Sequence, residues 1–129
     1  MNILLVASAV LGFGSAFGHA YLGERFVLRP LLNTPGDNRV LKTATSRSLL
    51  RWVWHLPSFA WLQIAAATLW LALSPSAFNP GAQALLVYFG VGIYMTGAVF
   101  NAWAMRGPHV GNVLLTLASL ALWFGVNGV

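Results

Sequence analysis

The chain contains no cysteine and only two acidic residues, Glu24 and Asp37. Without thiols there is no disulfide, thiolate nucleophile, iron–sulfur cluster or cysteine-ligated zinc, and the redox state of the compartment leaves no mark on the sequence. Charge of either sign is scarce. Asp, Glu, Lys and Arg make up 7% of 129 residues, against about a quarter of an ordinary globular domain. Seven basic and two acidic side chains cannot cover the surface of a water-soluble domain of this length, which excludes soluble enzymes, disordered tails and disulfide scaffolds as classes. What is abundant is apolar. The chain is 58% hydrophobic with a mean hydropathy of +0.73, so hydrocarbon is the natural solvent for most of its surface. In such a chain a net charge of +5 reports membrane orientation and does not call for nucleic acid.

Four apolar stretches, at 2–22, 49–73, 83–105 and 109–127, each approach the ~20 residues that a helix needs to cross hydrocarbon. The expected fold is one all-α integral membrane domain, a four-helix bundle. The first stretch has no basic residue before Ile3 and a poor cleavage site at Tyr21-Leu22-Gly23-Glu24, so it reads as a retained helix and not a signal peptide. Arg25, Arg29, Arg39, Lys42, Arg47 and Arg51 lie between spans one and two, and Arg106 follows span three. Both places face the same side of a four-span protein. The positive-inside rule makes that side cytoplasmic and the chain N-out/C-out. Residues 24–50 form the basic cytoplasmic loop, with Asn33-Thr34-Pro35-Gly36-Asp37-Asn38 as a dense run of turn formers. Val40–Arg51 is either an orienting basic loop or a short interfacial helix on anionic lipid headgroups.

Ser8, Gly12, Ala16 and Ala20 recur every fourth residue in span one, and Gly14 and Gly18 make a GxxxG pair one stripe over. Small residues at this spacing let backbones approach closely in lipid, within the bundle or in a homo-oligomer or larger membrane complex; packing within the bundle is the preferred reading. Gly90, Tyr94, Gly97, Ala98 and Asn101 make a similar surface on span three. Pro57 lies two residues after His55 and cannot donate to the Val53 carbonyl; span two either starts at Pro57 or leaves that acceptor free beside His55. The tryptophans cluster toward span ends as interfacial anchors.

With the basic residues as depth markers and ~1.5 Å rise per residue, His19, His55 and Asn101 fall ~6–9 Å from the cytoplasmic ends of three helices. His109 begins span four near the same interface, with Glu24 and Arg51 at the edge. Ionisable groups in membrane helices are costly, so His19, His55, Asn101, Arg51 and Glu24 form the candidate ligand site. Several chemistries fit these residue types. His19, His55 and His109 with Glu24 supply donors for a divalent metal such as zinc, copper or iron. Two histidines on opposing helices supply axial ligands for haem b, as in a membrane redox protein. A quinone or lipid-headgroup pocket would use His as donor and Arg51 on an oxyanion. No His-Glu-x-x-His or His-x-x-x-His motif singles one out, and the plainest alternative is that each histidine makes an interhelical hydrogen bond. No carboxylate lies deep enough for a proton-coupled transporter. Ser8, Ser15, Ser58 and Ser119 stand at no catalytic spacing from a histidine and an acid, so whether the chain is an enzyme stays open.

His19-Ala20-Tyr21-Leu22-Gly23-Glu24, then Leu28-Arg29-Pro30-Leu31-Leu32 and Trp54-His55, resembles an uncharacterised family of small bacterial four-helix inner-membrane proteins. There a His-x-x-(apolar)-Gly segment ends the first helix, Pro-Leu-Leu follows, and Trp-His opens the second. The resemblance covers the first 60 residues or so. It implies a bacterial inner-membrane setting and pairs His19 with His55, but carries over no activity.

Overall fold

The computed structural model describes residues 2–34, 36 and 38–128; Pro35 and Asp37 of the expected turn lie outside the described residues. The described residues are helical, without a strand. The elements are α1 (Ile3–Gly23), a π-helical turn (Glu24–Leu28), α2 (Arg29–Asn33), a 3-10 turn (Arg39–Lys42), α3 (Ala44–Leu73), α4 (Pro80–Ala104) and α5 (Val110–Asn127). Helices α1 with its continuation, α3, α4 and α5 are each long and apolar enough to cross a membrane. The chain is an all-α, multi-pass membrane four-helix bundle.

Side-chain caps set several of the helix starts. Asn2 accepts from Leu4 and Leu5, Thr43 from Ser46, and Asn79 from Ala82, each satisfying backbone N–H groups that a first turn leaves without partners. Helix α1 packs most extensively on α3 and α5, and α5 on α4, while α3 and α4 meet over a shorter length. Along the antiparallel α1–α3 seam Gly23 lies against Trp54, His19 against Ser58, and Gly12 against Ala65. A methyl group at Gly12 would strike the Tyr94 hydroxyl of α4, so the small-residue stripe brings three helices together at one point. Ser8, Gly12 and Ala16 are buried, whereas Gly14 and Gly18 face open space. The main core is built from Leu5, Trp61, Leu71, Tyr94, Leu115 and Leu122 among others.

Residues 24–50 are more ordered than a basic loop. At ~1.5 Å per residue, the 30-residue α3 is ~45 Å long, well beyond ~30 Å of hydrocarbon. Helix α1 is prolonged without a break through the π turn and α2. The two extensions close on each other through a second apolar cluster of Leu28, Leu32 and Leu41, with Leu50 and Trp54 packed against it. Arg47 donates to the Leu41 and Lys42 carbonyls, tying the 3-10 turn to α3. Val40–Arg51 is therefore divided between that turn and the first turns of a helix that runs on through Pro57. Of the two readings of Pro57, the one in which span two begins there is replaced by a proline inside a helix already started at Ala44.

Candidate functional site

A widened helical turn is where the site begins. Pro30 has no N–H, and its ring crowds the carbonyl four residues back, that of Phe26; the π turn Glu24–Leu28 precedes it, with the Arg29 N–H bonded to the Glu24 carbonyl. Five residues apart on an α-helix point in different directions. The π turn sets Arg29 beside Glu24, and single π turns recur at functional positions. Glu24 Oε1 lies 3.5 Å from Arg29 Nε and 3.3 Å from Arg51 Nη2. Its other oxygen lies 3.5 Å from His55 Nε2. Arg51 and His55 are one turn apart on α3, so one face of that helix presents both to one carboxylate.

Glu24 is 25% exposed, His55 19%, Arg51 45% and Arg29 67%. The junction therefore has a sheltered acid and wet arginines, so solvent weakens the arginine pairs without abolishing them. Glu24 Oε2 is buried with no hydrogen bond, as is Trp54 Nε1, which lies over Gly23. Deeper along the same seam His19 Nδ1 is 2.9 Å from Ser58 Oγ. The His19 ring stacks on Trp54 at 5.3 Å between centroids and meets Trp61 edge-on at 5.2 Å.

Four of the expected site residues, Glu24, Arg51, His55 and His19, thus share the α1–α3 seam. Asn101 and His109 belong elsewhere. His109 is the N-cap of α5: its Nδ1 accepts from the Gly111 N–H, its own N–H donates to Asn112 Oδ1, and Asn112 Nδ2 donates to the Gly107 carbonyl. Asn101 of α4 approaches Gly111 at the same helix start. The single polar layer at one depth is two separate groupings. Among the described residues no three of His, Asp and Glu are placed to hold a metal ion together, so the set His19, His55 and His109 does not converge.

Among the described residues, two recesses are lined by no histidine. One, of about 560 Å³, lies at the opposite end of the bundle among Asn2, Leu5, Leu71, Gln83 and Val126. Its Asn2 and Gln83 amides already donate to the Gly125 and Phe78 carbonyls. The other, of about 300 Å³, is walled by Tyr21, Glu24, Arg25 and Arg29. Sequence reasoning missed Arg29, Tyr21, Trp54 and Ser58. Ser58 and Trp54 carried a signal, because 51, 55 and 58 with 54 and 61 follow the three-and-four spacing of one helix face. Arg29 carried none, because its pairing depends on the π turn.

The Ser58–His19 pair has the atoms of a nucleophile and a base but not their setting. Ser58 is buried, the pair opens into neither recess, and the acid of the seam contacts His55, not His19. It acts as an interhelical hydrogen bond. Comparison with protein-family models, curated proteins and solved structures finds no match for this chain.

Proposed function

We propose that this multi-pass membrane protein is a non-enzymatic ligand-binding bundle of a bacterial inner membrane, oriented N-out/C-out, whose working end is the α1–α3 junction at Glu24. The observation that carries the reading is one carboxylate drawn to two guanidiniums and an imidazole at the end of its spanning helices. Ionisable groups at such a depth are expensive and are kept where they do something. The basic segment beyond the junction, with Arg39, Lys42 and Arg47, faces the headgroup layer, where each cation near an anionic surface gains about 1 kcal/mol. The likeness of its first 60 residues to small bacterial four-helix proteins agrees with this setting. A haem or metal reading gains no support from the positions of the histidines, since His19 is enclosed by Trp54, Trp61 and Ser58 and His109 caps a helix.

The test is a visible spectrum and metal analysis of the detergent-purified protein, with His19→Ala and His55→Ala. Both variants are expected to lower the melting temperature without removing any chromophore or metal. A Soret band or stoichiometric metal lost in both variants overturns the proposal. Orientation has its own check: single cysteines at Thr45 and Ala77, both exposed, are expected to react with an impermeant reagent from opposite faces, Thr45 from the cytoplasmic one.

A further inference from the structure

The recess between Tyr21, Glu24, Arg25 and Arg29 is donor-rich. Arg25 Nη1 donates to the Tyr21 hydroxyl at 2.9 Å, which anchors the guanidinium and leaves the phenol proton for another acceptor. Arg29 is held to Glu24 through Nε, so its terminal nitrogens are not the ones engaged there. Arg29 and Arg51 pair with Glu24 while Arg25 is held by Tyr21, so three guanidiniums stand against one carboxylate, a surplus of positive charge. Guanidinium forks match phosphate oxygens in geometry as well as charge.

The surroundings indicate what kind of phosphate. Leu22, Phe26 and Val27 on the same stretch of helix are exposed apolar side chains, and the Arg25 guanidinium lies 5.6 Å from the centre of the Phe26 ring. A cationic recess thus adjoins an apolar surface at the end of a spanning helix, the depth at which a phospholipid changes from acyl chain to headgroup. We propose that this recess binds a phosphate group through Arg25, Arg29 and the Tyr21 hydroxyl, with Glu24 fixing Arg29 and accepting from any hydroxyl that the phosphate ester carries. The site is distinct from the basic residues 39–47 beyond it and rests on the membrane placement proposed above.

Native mass spectrometry of the detergent-solubilised full chain, with added phosphatidylglycerol, phosphatidylcholine or inorganic phosphate, tests it. One phosphatidylglycerol is expected to be retained per chain, more tightly than phosphatidylcholine. Arg25→Gln, at an exposed position outside the Glu24 junction, is expected to weaken retention about tenfold, the scale of one lost charge-assisted contact. Tyr21→Phe is expected to weaken it severalfold and Arg106→Gln, at an exposed position between α4 and α5, to leave it unchanged. Inorganic phosphate that displaces the lipid in the wild type and not in Arg25→Gln also supports the phosphate site, and identifies the free ion as a ligand. Absence of retention, equal retention of both lipids, or an equal loss in Arg106→Gln overturns it. If the Thr45 and Ala77 labels then still report opposite faces, the membrane reading stands and the recess alone has failed; labels on one face would remove both.

Discussion

The Glu24 junction and the His109 cap are both polar groupings at the same end of the bundle, yet they do opposite work. At the cap, every contact is short in sequence: His109, Gly111 and Asn112 satisfy one another within one helical turn, and the Gly107 carbonyl completes the set. It starts a helix and leaves little reactive. At the junction the contacts join α1 to α3, one carboxylate oxygen and one indole N–H remain without a hydrogen bond, and a recess opens alongside. Satisfied local polarity builds structure, whereas the polarity concentrated at the seam is left incompletely paired.

Substitutions at four positions sharpen or break this contrast, read as melting temperature of the detergent-purified protein. The largest effect is expected from Gly23→Ala, because the added methyl group meets the rigid Trp54 indole; overpacking of this kind costs about 1–3 kcal/mol. Glu24→Gln is next, at about 1–2 kcal/mol after discounting for the exposed arginines. Its deficit should shrink in high salt, which screens the wild-type ion pairs. His109→Ala should cost about 1 kcal/mol as a lost N-cap, with no salt dependence, and His109→Asp should restore most of it. Gly111→Ala should be smallest, within about 0.5 kcal/mol, because its new methyl group meets first the end of the flexible Asn101 amide, with His109 Nδ1 next at 3.3 Å. If Gly111→Ala were as damaging as Gly23→Ala, the two groupings would be equally rigid and the distinction would fall.

The spans and the small-residue packing of Ser8, Gly12 and Ala16 were legible because each depends on local spacing. The convergence of Glu24, Arg51 and His55 was partly legible, since 51 and 55 share a helix face. Asn101 and His109 do not join the Glu24 contacts, for a physical reason. Equal depth says nothing about azimuth, and α5 needed His109 to cap its first turn. Arg29 was invisible as a partner because an α-helical register points it away from Glu24, and the widened turn before Pro30 turns it back.

By itself, the sequence determined that the protein lives in lipid, has four spans, and holds its charged side chains near one end, because too few charges exist to support any other solvent for its surface. The tertiary structure alone decided which of those groups meet. Gly12, Gly23, Trp54 and Tyr94 pack across three helices, and that packing brings Arg51 and His55 of α3 to Glu24, which the π turn also sets beside Arg29, while His109 stays apart as the cap of α5.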